Sequence, residues 1–107
     1  MRTFLLAHRN VKIAMNFHAW GPLFITPFNW DSRGRNQDVP QKAQLFYDEV
    51  YSKMPQGYVE GNGHVTIGYT ANGEASDWML HELGIYAMSP ELGLEMKQAE
   101  NFFIREP

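Results

Sequence analysis

The feature that most constrains the fold is an alternation of side chains near the start of the chain. Every second position of residues 11–17 is apolar, and this period of two predicts a β-strand with His18 at its carboxyl end. The apolar positions are Val11, Ile13, Met15 and Phe17. After a Gly-Pro break, residues 23–26 predict a second short strand that ends at Pro27, because proline cannot donate to a β-ladder.

The clearest predicted helix covers residues 38–53. Asp38 is a candidate side-chain cap, Pro40 suits the first turn, and Gln41 can complete a capping box. Pro55 stops the helix. Apolar side chains recur at helical spacing, at Ala43, Phe46, Tyr47, Val50 and Met54.

The rest of the chain predicts short elements of both kinds. They are a loop at 56–63, a strand at 65–68, a turn at Asn72-Gly73, a helix at 76–83 capped by Ser76 or Asp77, a strand at 85–88 and a helix at 94–105. Strands mixed with helices indicate an α/β fold. Functional side chains in such sheets tend to follow the carboxyl ends of strands, where we expect His18, Tyr69 and Glu91.

Composition and charge exclude several classes of partner. The 107-residue chain has a formal net charge of −3, and its scattered basic residues form no stripe for nucleic acid. It has no cysteine, which excludes a disulfide framework and a thiolate zinc site. No run approaches the roughly 18 apolar residues of a membrane span. No signal-peptide core is visible, because His8 and the two residues after it interrupt the first apolar run. The compartment stays open.

Three segments carry a family resemblance. Residues 16–28 read NFHAWGPLFITPF, residues 69–78 read YTANGEASDW and residues 89–93 read SPELG. In order and spacing they resemble the zinc carboxypeptidase family of the carboxypeptidase A type. The matching family segments hold a zinc-binding histidine, a mobile tyrosine loop and the catalytic glutamate. The resemblance implies that residues 1–107 are the C-terminal part of the catalytic domain, with a partial mixed-sheet α/β/α fold in which residues 1–9 end a helix.

The resemblance implies roles for three side chains. His18 would bind zinc, for which a neutral imidazole at a strand end is a good ligand. Glu91 would act as general base and acid, taking a proton from the zinc-activated water and passing it to the leaving amine. Tyr69 would close over the bound peptide. Each residue also has a plainer interpretation: an interior histidine with a hydrogen bond, an ordinary glutamate after a strand, and a core tyrosine.

Two further residues are implied at the substrate site. Trp20 follows the expected zinc ligand, and the family pattern implies that it contacts substrate and that the Ala19-Trp20 peptide is cis. Ser76 matches the floor of the family's pocket for the C-terminal side chain, although it can equally serve as a helix cap. Glu74 could supply a charge from the rim of that pocket. Side-chain specificity therefore stays open.

The resemblance also predicts what the chain does not supply. A catalytic zinc site needs three protein ligands and an open position, and the family takes the other two ligands from an upstream His-x-x-Glu motif. None of the four histidines has a glutamate three residues later; the residues found there are Val11, Gly21, Ile67 and Gly84. The remaining ligands and the arginines that grip the substrate carboxylate are expected from a missing N-terminal half of the same domain. Alone, the chain is expected to bind zinc poorly and to hydrolyse nothing.

The leading expectation is therefore a hydrolase, a zinc metallocarboxypeptidase that removes the C-terminal residue of a peptide or protein, present as a fragment that is inactive alone. Removal of side-chain glutamates, or amide hydrolysis on another amino-acid derivative, would be related reactions in the same fold class. The main alternative is a degenerate carboxypeptidase-like module kept for binding or assembly without catalysis. A third is an α/β domain whose motif matches are chance.

Overall fold

The computed structural model describes residues 1–33 and 38–93. The helices are α1 (Arg2–Ala7), α2 (Gln41–Ser52), α3 (Gly63–Thr66) and α4 (Ala75–Leu83), and the strands are β1 (Ile13–Met15), β2 (His18–Ala19), β3 (Leu23–Ile25), β4 (Val59–Gly61) and β5 (Tyr86–Leu92). The helix implied for residues 1–9 is confirmed by α1. The predicted helix at 94–105 lies outside the described residues.

The strands form one mixed sheet in the order β1-β5-β3-β4, with β2 also paired to β5. Strand β5 runs parallel to β1 and β2 and antiparallel to β3, while β3 and β4 are parallel. Helices combined with a mixed sheet confirm the predicted α/β class and fit a partial carboxypeptidase-like fold. Within the described ranges, no helix is long and apolar enough to cross a membrane.

The predicted strand at 11–17 is two short strands that share one partner. Strand β1 ends at Met15, the backbone N–H of Asn16 donates to the Met88 carbonyl at 3.0 Å, and pairing resumes at His18. The register is unbroken, because Met15 pairs with Met88 and His18 with Glu91. The alternating pattern therefore predicted the path of the strand, whereas its division into β1 and β2 and its pairing with β5 were not predicted.

The core lies on both faces of β5, whose successive side chains point to opposite sides. Met88 packs on one face with Phe24, Phe28, Ala43, Tyr47 and Leu80. Ala87 packs on the other face with Leu5, Met79 and Ile85. The hydroxyl of Tyr47 donates to the Ala87 carbonyl at 2.9 Å, which ties α2 to the central strand. Burial of these apolar groups supplies the main driving force for folding.

Two predicted elements were wrong. The expected loop at 56–63 contains strand β4, which pairs with β3 and leaves Glu60 and Gly61 buried. The expected strand at 65–68 is instead occupied by the one-turn helix α3. The Asn62 side chain starts this helix by accepting a hydrogen bond from the Val65 N–H at 3.1 Å. This local cap outweighs the β-propensity of Val65 and Ile67.

The predicted helix starts also need correction. Helix α2 begins at Gln41 after Pro40, and helix α4 begins after Glu74, both without a side-chain cap. Ser76 and Asp77 lie inside α4, so neither caps it. Strand β5 continues past the predicted 85–88 to Leu92, which places Glu91 within the strand. The implied cis peptide at Ala19-Trp20 is confirmed, and Pro27-Phe28 is a second cis peptide that the sequence did not predict.

Candidate active site

The site begins with the pairing of two parallel strands. His18 in β2 and Glu91 in β5 are direct partners in the ladder. Side chains of paired residues leave a sheet on the same face, so the imidazole and the carboxylate project to the same side. The hydroxyl of Tyr58 donates to the Glu91 carbonyl at 2.8 Å and holds this end of β5 in place.

A pocket of about 160 Å³ opens on this face. It is lined by His18, Ile25, Asn29, Gly63, Ile67, Tyr69, Ala71, Glu74, Ser89 and Glu91. The structure thus brings the predicted residues His18, Tyr69 and Glu91 to one pocket. The element before Tyr69 differs from the prediction: Tyr69 follows helix α3 and not a strand.

Glu91 is partly buried in the pocket wall. Burial raises the pKa of its carboxyl, and the charge of His18 acts in the opposite direction. Its carboxylate makes no hydrogen bond to another residue in the described ranges. A carboxyl with a raised pKa takes up a proton more readily, which suits a group that must accept a proton and pass it on.

His18 is exposed and is oriented by Asn16. The Asn16 amide Nδ2 lies 3.0 Å from Nε2 of the His18 ring. The amide can donate to a bare Nε2 or, after rotation, accept from a protonated one, so it can serve either tautomer. In residues 1–33 and 38–93, no group of three or more His, Cys, Asp or Glu side chains could hold a metal ion. The described residues therefore hold no complete zinc site, and the role of His18 as a ligand stays a prediction.

Tyr69 lies at the mouth of the pocket, with 62% of its surface exposed. Its segment is fixed through the backbone: the Ala71 N–H donates to the Asn29 carbonyl at 2.9 Å, and the Gly68 N–H donates to the Gly63 carbonyl at 3.0 Å. Gly68 has a φ of +87°, a backbone conformation that favours glycine. The side chain of Tyr69 is thus presented to solvent above an anchored backbone.

A buried polar pair supports the wall behind Tyr69. Asp77 accepts hydrogen bonds from the backbone N–H and the side-chain amide of Asn29, at 2.7 and 3.0 Å. Burial raises the pKa of the Asp77 carboxyl to about 6, although bonds from Asn29 and Trp30 act in the opposite direction. Sequence reasoning missed Asn29. The available signal was a polar residue directly after a strand and its Pro27-Phe28 turn, a position where functional residues are common.

Two predicted residues lie elsewhere. Trp20 is partly buried and is not among the residues that line the pocket. Ser76 is buried and lines a separate cavity of about 330 Å³ with residues of α1 and β1, among them Phe4 and Met15. The Ser76 hydroxyl has no hydrogen-bond partner among the described residues. The proposed contacts of these two side chains with substrate therefore stay predictions.

Comparison with known proteins identifies the family of this chain. Residues 1–106 match the family described as zinc carboxypeptidase. The chain is also similar to a metallocarboxypeptidase A-like protein of Trichophyton verrucosum (strain HKI 0517), with 35% identity over 86 residues. That match covers 77% of this chain and 20% of the relative, so the chain spans about a fifth of the length of the curated relative it matches. The chain therefore belongs to the zinc carboxypeptidase family.

Proposed function

We propose that this chain contributes His18 and Glu91 to the active site of a zinc metallocarboxypeptidase, which releases the C-terminal residue of a peptide or protein. The observation that carries the proposal is the pairing of these two residues across one strand ladder, with both side chains in the same pocket. Family membership supplies the reaction class. In this proposal residues 1–107 are the C-terminal part of the catalytic domain, and the chain alone is inactive.

The chemistry divides between this chain and the rest of the domain. Zinc, when bound, supplies a Lewis acid that activates water and polarises the scissile carbonyl. His18 is one ligand, and its ring is oriented by Asn16. The Glu91 carboxylate takes a proton from the attacking water and delivers it to the leaving amine nitrogen, so the same oxygen pair acts first as base and then as acid. Tyr69 contacts the substrate at the mouth of the pocket.

The remaining metal ligands need a polypeptide segment outside this chain, and β1 offers the surface for it. Strand β1 is at the edge of the described sheet, yet Ile13 and Met15 are apolar and about half exposed, at 50% and 47%. A parallel strand with exposed apolar side chains is typical of the interior of a larger sheet, because parallel sheets are normally covered on both faces. We name residues 13–15 the apolar edge, and we propose that the N-terminal half of the domain packs against it.

The test begins with the transcript sequence 5′ of Met1 and the longer protein that it encodes. We expect a His-x-x-Glu motif upstream, and close to one zinc ion per molecule in the purified longer protein. His18→Ala should reduce zinc content strongly, because removal of one of three protein ligands leaves an incomplete site. His64→Ala is the matched control, since His64 is exposed on α3 and does not line the pocket.

The outcomes separate the competing functions. Zinc-dependent release of C-terminal residues, lost in His18→Ala and kept in His64→Ala, supports the metallocarboxypeptidase. A stable longer protein that holds no zinc supports the alternative of a degenerate module kept for binding or assembly. Zinc content that is unchanged by His18→Ala would overturn the assignment of this residue as a ligand.

A further inference from the structure

We propose that Asn29 and Asp77 form a positioning pair that holds residues 63–71, which we name the Tyr69 segment, over the active-site pocket. The inference rests on the proposed function, because it takes Tyr69 as a substrate contact. Neither residue of the pair carries out chemistry in this proposal. Their task is to fix the backbone on both sides of Tyr69, and so to set where its hydroxyl meets the substrate.

The pair is buried and bonded twice. Asn29 is 3% exposed and Asp77 is 1% exposed. The backbone N–H of Asn29 donates to Oδ2 of Asp77 at 2.7 Å, and Nδ2 of Asn29 donates to Oδ1 at 3.0 Å. Two bonds to one carboxylate fix both the backbone and the side-chain rotamer of Asn29. Hydrogen bonds to a charged acceptor are also stronger than neutral ones.

Asn29 in turn accepts hydrogen bonds from the chain on both sides of Tyr69. Its side-chain Oδ1 accepts a hydrogen bond from the Gly63 N–H at 2.6 Å. Its backbone carbonyl accepts one from the Ala71 N–H at 2.9 Å. Gly63 opens helix α3, which leads to Tyr69, and Ala71 lies two residues after Tyr69. One asparagine therefore bonds to the chain before and after the tyrosine.

Close packing at Gly63 shows how tightly the segment is seated. A Cβ on residue 63 would lie 3.0 Å from the Tyr69 carbonyl oxygen and 3.2 Å from Oδ1 of Asn29. Both distances are shorter than ordinary van der Waals contact, so a larger residue at position 63 would require the neighbouring oxygens to move by a few tenths of an ångström. The backbone of Tyr69, the start of α3 and the Asn29 side chain therefore meet at one point.

The side chain of Tyr69 does not fix its own position. It is 62% exposed and makes no hydrogen bond to a residue of the described ranges. Its placement depends on the backbone bonds to Asn29 and Gly63. Because Asp77 fixes Asn29, a change at Asp77 should alter substrate binding although Asp77 does not line the pocket.

The experiment exchanges the two side chains. Asn29→Asp places two carboxylates together, and Asp77→Asn places two amides together, so each single variant loses a complementary bond. The double variant N29D/D77N restores complementarity: the new amide at 77 donates to the new carboxylate at 29, whose second oxygen still accepts from Gly63. Asn10→Asp and Glu82→Gln make the same changes of charge at exposed sites outside the pocket and are the matched controls.

The first readout is amide hydrogen exchange in the metal-free chain. We expect each single variant to raise exchange at Gly63 and Ala71 about tenfold relative to the amides of β5, and the exchanged pair to return it towards the original rate. Exchange that rises equally in β5 would show a purely structural role and would overturn the proposal. Unchanged exchange at Gly63 and Ala71 would overturn it as well.

The second readout uses the longer, zinc-loaded protein. We expect the single variants to raise KM about tenfold with kcat changed less than about twofold and zinc content unchanged, because the substrate contact is displaced and the reacting groups are not. A loss of kcat at constant KM would contradict the proposal. If the longer protein shows no peptidase activity, the proposed function fails, and the exchange pattern in the metal-free chain still decides whether the pair positions the Tyr69 segment.

Discussion

His18 and Glu91 are direct partners in the parallel ladder between β2 and β5, so their side chains lie side by side on one face of the sheet. A hydrogen-bonded ladder fixes its partners more firmly than two loops can, so the separation of imidazole and carboxylate is set by the sheet itself. The same ladder explains why β5 has to extend to Leu92: a strand that ended at Met88 would leave Glu91 without a partner. The candidate active site is thus built on the pairing of β2 with β5.

Glu91→Gln should abolish peptidase activity in the longer protein while zinc stays bound. The amide keeps the size of the side chain but cannot take up a proton, and loss of a general acid–base group typically reduces kcat by about 10²–10⁴-fold. Peptide hydrolysis and metal content, measured on the same preparation, check this. Glu82→Gln, on the exposed face of α4, is the control and should leave both unchanged. Activity retained in Glu91→Gln would remove Glu91 from the mechanism.

The stability contributed by Asp77 should fall as the pH rises. Burial raises the pKa of this carboxyl from an ordinary value of 3.8 to about 6 in the folded chain. The folded state therefore binds the proton more tightly than the unfolded state. The contribution is fully present below about pH 3.8 and is lost as the pH rises through about 6, by up to about 3 kcal/mol. Urea unfolding at several pH values, compared between the original chain and Asp77→Asn, measures it.

The contribution of Asp31 should change with pH in the opposite direction and serves as the control. Its hydrogen bonds from Arg33 lower the pKa of the Asp31 carboxyl, so its contribution is present above the ordinary pKa and is lost on acidification. The difference between the original chain and Asp31→Asn should therefore grow as the pH rises. If the Asp77 difference also grew with pH, the hydrogen bonds from Asn29 would outweigh burial, and the pKa of Asp77 would be lowered.

Local sequence periodicity predicted the type of two elements, the strand near residues 11–17 and the helix near residues 38–53. The alternation at residues 11–17 predicted the path of β1 and β2, although its apolar side chains Ile13 and Met15 are about half exposed and it is Ala14, on the other side of β1, that packs against the described core. The helical spacing at 38–53 predicted α2 to within a few residues at each end. Helix α2 begins at Gln41 and not at the predicted Asp38. Pro40 is its N-cap residue, and Asp38 lies two residues before it, outside the helix. Element type followed from periodicity, and element boundaries depended on contacts distant in sequence.

The errors arose where tertiary contacts override local preference. The segment 56–63 is rich in glycine and was expected to be a loop, yet β4 forms there because β3 supplies a partner strand. The prediction of the pocket residues failed for the same reason. The family segments indicated His18, Tyr69 and Glu91, whereas Asn29 owes its role to bonds with Asp77, which lies 48 residues away. No local pattern encodes such a long-range pair.

Tyr47→Phe should destabilise the chain by about 1–2 kcal/mol. The Tyr47 side chain is fully buried, and its hydroxyl donates to the Ala87 carbonyl in the central strand. Removal of the hydroxyl leaves the ring packing intact but takes away the partner of a buried carbonyl. Urea unfolding followed by circular dichroism measures the change. Tyr86→Phe is the matched control: its ring packs beside Tyr47, its hydroxyl makes no hydrogen bond to a described residue, and we expect a change below about 0.5 kcal/mol.

The apolar edge should make the isolated chain associate with itself. Strand β1 has its other side unpaired within the described sheet, and an exposed apolar edge strand can pair with a second copy. Ile13→Lys should weaken this association without unfolding the chain, because residue 13 is half exposed and a charged edge disfavours pairing. Sedimentation velocity over a range of concentrations measures the shift towards monomer.

Val59→Lys distinguishes the two edges of the sheet. Val59 is 45% exposed on β4, the opposite edge, and its substitution adds the same charge. If association depends on β1, Ile13→Lys shifts the equilibrium and Val59→Lys does not. The proposed packing of the N-terminal half on β1 predicts a different result for a longer protein that contains that half. There Ile13→Lys should lower folding stability where the isolated chain tolerates it, since a lysine buried in a sheet interior loses its hydration. Equal tolerance in both proteins would show that the N-terminal half packs somewhere other than β1.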